Sequence, residues 1–203
     1  MEKLYVGAAY YPEVWDEDEV ERDIVRMKEA GVNVVRVAEF AWGKMEPQEG
    51  KFDFGWLERA VDKLIAAGID VIMCTPTCTP PRWLLEKYPE TRNVLPDKTR
   101  TEVFSRCHPC KSSPVMREKN RIITRELAKR FGKKKGVIGW QIDNEIFPYN
   151  EGCYCENCQK KFRTYLKNKY KTVEALNDAW KTARWSLEYP SFDDVIPPVR
   201  SRW

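Results

Sequence analysis

The chain has 203 residues, enough for one core domain or a piece of a larger one. Apolar residues make up 42% and charged residues 33%, an ordinary globular balance. The 35 basic and 31 acidic side chains leave a net charge of +4, too even to supply a nucleic-acid-binding face, and no run of about 18 apolar residues marks a membrane span.

Leu4 to Tyr10 is strand-like, and Met1-Glu2-Lys3 runs straight into it without the separate apolar stretch of a secretory signal. Asp16 to Ala30 predicts a helix, with Val20, Ile24 and Met27 on one face and Gly31 as its stop. Asn33 to Ala38 reads as a buried strand, Asp53 to Ala67 as a second helix ended by Gly68, and Ile69 to Thr75 as a third strand. An irregular stretch from Pro76 to Pro114 follows. Val115 to Phe131 is a third helix, and Lys133-Lys134-Lys135 reads as its solvated end, since cations suit helix C-termini. Val137 to Ile142 is a fourth strand, and Cys155 to Tyr170 and Val173 to Trp180 are two more helices. Tyr189 to Trp203 carries three Pro and no periodicity, and reads as a linker or the start of a further segment.

Nearly continuous apolar strands alternating with helices signal a parallel sheet covered by helices. The Ala-Gly pairs at 30–31 and 67–68 fit left-handed helix stops before short loops. Four strand–helix units are about half of a (β/α)8 barrel. The expected fold class is therefore α/β: a partial (β/α)8 barrel over residues 1–188, with a cysteine-rich helical excursion at about 150–188, and a tail at 189–203.

Reactive residues of such folds sit at the C-terminal ends of strands. Strand one ends at Tyr10-Tyr11-Pro12-Glu13, strand two at Arg36 to Trp42, strand three at Thr75-Pro76-Thr77, and strand four at Gln141-Ile142-Asp143-Asn144-Glu145. An amide and a carboxylate side by side suit sugar chemistry: Glu145 can protonate a leaving oxygen, and Asn144 can hold a hydroxyl. The alternative is that both cap the following loop. Trp42 can stack on a sugar or pack the rim, while Trp140 lies within strand four as buried structure.

Seven Cys is an odd number, and their clustering favours an intracellular, cytoplasmic metal protein over a disulfide framework. Cys153, Cys155 and Cys158 place three thiols in six residues, a spacing that suits zinc and leaves a fourth ligand to be found. The alternative is three reduced thiols near a helix start. Cys74 and Cys78 read as small apolar core or loop residues.

Several separated segments together resemble the β-galactosidases of glycoside hydrolase family 42: GAAYYPEVW at 7–15, VRVAEFAWGKMEPQEGKFDF at 35–54, TPPRWLLEKYPE at 79–90, GWQIDNE at 139–145 and CYCENCQKKFRTYL at 153–166. The resemblance implies retaining hydrolysis of terminal β-D-galactosides, with Glu145 as general acid/base and Asn144 and Arg106 holding the galactose. It also implies a closed structural Zn²⁺ site on Cys110, Cys153, Cys155 and Cys158, with Cys107 and His108 as rivals of Cys110. The family's nucleophile is a Glu at the end of strand seven, beyond these residues. Glu39 is the obvious carboxylate within them, and reads rather as a group tied to Arg36 or Arg106. The expected partners are a β-galactoside and either a second copy or a complementary C-terminal half-barrel, with no nucleic acid and no membrane. The alternatives are a catalytically inactive half-barrel that binds zinc, and one half of a split enzyme.

Overall fold

The computed structural model describes residues 4–103, 109–146 and 152–199. They fall into two compact units: residues 4–91 with 103 and 109–146, and residues 92–102 with 152–199.

The first unit is a four-stranded sheet of β1 (Gly7–Ala9), β2 (Val34–Val37), β3 (Asp70–Cys74) and β4 (Val137–Gln141), in that spatial order. All neighbours are parallel, as the apolar strands predict. Helices α1 (Glu17–Glu29), α2 (Trp42–Met45), α3 (Gly55–Ala66), α4 (Arg82–Lys87) and α5 (Pro114–Phe131) connect them. The core buries Val35, Val37, Val71 and Met73 from the strands against Ile24, Leu57, Leu64, Ile123 and Leu127 from the helices.

Local chemistry sets the helix ends. Asp16 caps α1 by accepting the Glu19 N–H at 2.8 Å, and Ser113 caps α5 by accepting that of Met116 at 3.3 Å. The Ala-Gly pairs close α1 and α3 as expected. Gly31 and Gly68 have φ of 74° and 78°, which let the N–H groups of Val32 and Ile69 turn back to the carbonyls of Met27 and Leu64. Strand β1 is shorter than its apolar run. At Val6 the Asn33 side chain takes the backbone N–H at 2.8 Å, replacing the ladder bond that would continue the strand.

Helices α2 and α4 lack a sequence signature. At four and six residues, neither is long enough to display a period. A partly exposed ion cluster ties this region together: Glu49 pairs with Lys87 and Lys119 and accepts the Tyr88 hydroxyl at 2.8 Å. Lys119, Lys87 and Tyr88 hold the Glu49 carboxyl down at about 2. Its stabilising contribution is therefore complete above the ordinary carboxylate range and is lost as pH falls toward 2. Glu49→Gln is expected to lower the melting temperature by a few degrees at pH 7, with the difference from the parent closing near pH 2. A difference independent of pH in thermal melts would refute this.

The second unit contains α6 (Glu156–Tyr170) and α7 (Val173–Trp180). Leu166 and Leu176 pack with Phe192 and Val195, so residues read as a tail supply half of this small core. Their side chains come from a 3-10 turn at Phe192–Asp194 and its flank, too short for a periodic signature. Asn177 fastens the same segment, donating to the Tyr189 carbonyl at 2.8 Å and accepting the Tyr189 N–H at 3.0 Å. Residues 92–102 form a tight turn bridged between Val94 and Arg100.

Candidate active site and metal centre

The C-terminal ends of the four strands gather most of the first unit's unusual chemistry. Among its described residues, the non-glycine positions with positive φ are Ala38, Asp143 and Glu145, at 77°, 61° and 45°. All lie just past β2 or β4. Backbone held in this sparsely populated region clusters at functional sites, where surrounding contacts offset the strain.

At the end of β2, Glu39 is 2% exposed and pairs with Arg36 at 2.7 Å, as its sequence position suggested. Beside it lies Glu13. Burial pushes the Glu13 carboxyl up, Glu39 adds to the shift, and Lys44 opposes it. The Lys44 ammonium donates to the Glu13 carbonyl oxygen at 2.9 Å. Cys74, at the end of β3, is fully buried and its thiol is pushed up to about 12, chiefly by desolvation. That is an inert core thiol, as expected; Cys78 is likewise buried and donates to the Glu39 carbonyl oxygen at 3.5 Å.

Trp42 packs the rim and is closed to a sugar. It is 0% exposed, and its indole N–H donates to Glu46 Oε2 at 2.8 Å. The aromatic pair at the strand ends is instead Tyr11 and Phe40, stacked with centroids 5.6 Å apart and planes inclined by 17°. Tyr10 points away, its hydroxyl donating to Asp23 on α1 at 3.2 Å. Trp140 is partly buried against the core.

The turn after β4 carries Asn144, half-buried, and Glu145, exposed. Gln141 donates to the Asp143 carbonyl oxygen at 3.0 Å and to Asn144 Oδ1 at 3.2 Å. Thr75, 1% exposed at the end of β3, accepts the Asp143 N–H at 2.7 Å. Lys111 reaches Asp143 Oδ2 at 2.6 Å. The sequence assigns no role to Glu13, Thr75 or Lys111. The first two sit in the strand-end segments it singled out, but Lys111 has no signal of its own. Arg106, Cys107 and His108 lie outside the described residues.

In the second unit, the thiol sulfurs of Cys153, Cys155 and Cys158 all lie within 4.8 Å of one another. Cys155 is the N-cap of α6, so Cys158 falls in its first turn. Residues 92–102 close over Cys153: the Val94 N–H donates to its sulfur at 3.4 Å, and the Val94 carbonyl oxygen accepts the Tyr154 N–H at 2.8 Å. Sulfurs about 2.3 Å from a tetrahedral zinc are about 3.8 Å apart, so these thiols form a cluster that could hold a metal. Cys110 belongs to the first unit, fully buried, with its N–H bound to the Thr91 carbonyl oxygen at 2.6 Å.

A parallel sheet of this order, with reactive groups at its strand ends, defines the N-terminal part of a (β/α)8 barrel. The chain belongs to glycoside hydrolase family 42, the beta-galactosidase family, whose sequence profile matches residues 9–202. It is 46% identical over 198 residues to beta-galactosidase YesZ of Bacillus subtilis strain 168, covering 98% of this chain and 30% of that protein. It is 45% identical over 194 residues to a beta-galactosidase of Thermus thermophilus, covering 95% of this chain and 30% of the relative. The solved beta-galactosidase of Halorubrum lacusprofundi superposes with a TM-score of 0.91 at 41% identity, over 98% of this chain and 30% of that structure. The chain thus spans about 30% of the length of the curated relatives it matches.

Proposed function

We propose that these residues form the acid/base side of an active site that hydrolyses terminal β-D-galactosides with retention. The observation that carries this reading is the Asn144-Glu145 pair on a strained, multiply hydrogen-bonded turn at the end of β4. In the first step Glu145 gives its proton to the glycosidic oxygen as the bond to the anomeric carbon breaks, and the bonding electrons leave with that oxygen. A carboxylate nucleophile takes the sugar. In the second step Glu145, now a carboxylate, takes a proton from water as the water oxygen attacks the anomeric carbon. Asn144 and Arg106 hold the galactose hydroxyls. The two carboxyl groups of a retaining site stand about 5–5.5 Å apart. The family resemblance assigns the nucleophile to a Glu at the end of strand seven, outside these residues, and Glu39, 2% exposed and paired with Arg36, is turned to the core side.

The test is turnover of a chromogenic β-galactoside by the 203-residue chain, alone and mixed with the C-terminal part of a family barrel. Background activity alone and turnover on mixing are expected. Turnover by the chain alone, abolished by Glu39→Gln as well as by Glu145→Gln, would make Glu39 the second carboxylate.

A structural Zn²⁺ on Cys153, Cys155, Cys158 and Cys110 is part of the same reading. Four sulfurs leave no open position, so such an ion organises the fold and takes no part in the reaction.

Association with a second copy or a complementary half-barrel also belongs to it. Strands β1 and β4 are the sheet edges, and Leu4, Tyr5 and Val6 at one and Ile138, Ile142 and Ile146 at the other are exposed. Open edges flanked by apolar side chains pair readily. Sedimentation of the 203-residue chain at micromolar concentration is expected to show species heavier than 23.9 kDa. One well-folded 23.9 kDa species that binds no apolar dye would refute it.

A further inference from the structure

We infer that Asp143 is a positioning residue for proton transfer by Glu145, and that Lys111 locks Asp143 in that role. This rests on the reading of Glu145 as the general acid/base.

Every polar group of Asp143 is engaged. Its N–H donates to Thr75 Oγ1 at 2.7 Å, and its carbonyl oxygen accepts from Gln141 at 3.0 Å. Its Oδ1 accepts the Asn144 N–H at 2.9 Å, and its Oδ2 takes the Lys111 ammonium at 2.6 Å. The Asp143 side chain is 15% exposed and that of Lys111 46%, so the pair is shielded at its carboxylate end and open to solvent at the ammonium. One residue thereby ties the turn to β3 through Thr75, to β4 through Gln141, and to the loop before α5 through Lys111.

The backbone explains why the turn needs such ties. Asp143 and Glu145 both have positive φ, on either side of Asn144. Asp tolerates this region, partly through short hydrogen bonds to its own neighbourhood, whereas Glu adopts it less readily. The Asp143 carboxylate makes such a bond to the Asn144 N–H. That bond alone could come from Asn. The second oxygen, carrying charge toward Lys111, could not. A carboxylate at 143 therefore does more than permit the turn. It anchors the turn to a separate loop, and an acid/base displaced by about 1 Å can lose about 100-fold in rate.

The consequence is selective. A galactoside with an acidic phenol as leaving group departs with little help from a proton, whereas an alkyl galactoside needs it. Asp143→Asn and Lys111→Met are expected to lower kcat/KM about 10- to 100-fold for an alkyl galactoside and only a few-fold for an acidic aryl galactoside. The assay uses the active enzyme that carries these residues, with Glu145→Ala measured in the same series. The double variant Asp143→Asn, Lys111→Met is expected to be no worse than the more impaired single variant, because the two side chains act as one unit. If Asp143→Asn fails to fold, Lys111→Met reports on the same pair from its exposed end. Equal losses on both substrates, or no loss on either, would overturn the inference while leaving Glu145 in its role. Hydrolysis of the alkyl galactoside by Glu145→Ala at the parent rate would overturn the reading of Glu145 and the inference together.

Discussion

Glu145→Gln is expected to lower kcat/KM toward an alkyl β-galactoside by about 10²- to 10⁴-fold, the range that a positioned general acid contributes. Glutamine keeps the length and approximate shape of the side chain and removes its acidic proton. Both steps of a retaining reaction use that proton, in opposite directions, so kcat falls whichever step limits the rate. An acidic aryl galactoside bypasses the first demand and retains more of its rate, but still needs the base in the second. The exposure of Glu145 gives substitution a small structural cost, so folding and galactose affinity are expected to persist. Steady-state kinetics with both substrate types make the comparison, and a loss under tenfold on the alkyl substrate would remove Glu145 from the acid/base role.

Removal of the clustered thiols proposed to hold zinc is expected to have the largest effect on stability. The second unit buries four hydrophobic side chains in its main cluster, Leu166, Leu176, Phe192 and Val195. A core of that size seldom holds a fold without a staple. Structural zinc supplies about 10–16 kcal/mol of apparent binding energy in small zinc peptides, and ligands must gather to receive it. The parent is expected to carry one Zn²⁺ per chain. Cys153→Ser is expected to lose the metal and the cooperative melting of the second unit. Substituting Cys74 and Cys78, the buried thiols near Glu39, is expected to leave metal content unchanged. Elemental analysis without metal in the parent, or Cys153→Ser with full metal and an unchanged melt, would contradict this. Cys110→Ser with metal retained would move the fourth ligand to Cys107 or His108.

Much of the first unit was legible because its signals are local. The apolar runs of β2, β3 and β4, the apolar face of α1 and the glycines at 31 and 68 each depend on a few neighbouring residues. The strand ends follow from the parallel topology, so Glu39, Asn144 and Glu145 could be singled out in advance. What escaped depends on distant partners. Lys111 and Asp143 are separated by 32 residues, and no pattern around either announces the pair. Trp42 left both readings open because the composition of a strand end does not say which way an indole turns; Glu46, one helical turn on, decides it. Phe192 and Val195 belong to a core built from elements with no shared period. The cysteine spacing pointed to a thiol cluster because the start of α6 folds Cys153, Cys155 and Cys158 back onto one another, while the residues covering them, such as Val94, come from 59 positions away.

The most direct test of Glu145 as the acid/base of a retaining β-galactosidase is azide rescue of Glu145→Ala in the active enzyme. With an acidic aryl β-galactoside, the first step still proceeds and the galactosyl-enzyme accumulates for want of a base. Azide needs no base, so it is expected to restore turnover and to yield β-galactosyl azide, identified by its anomeric proton coupling. No rescue by azide, or an azide of α configuration, would contradict the account, the latter by making Glu145 the nucleophile.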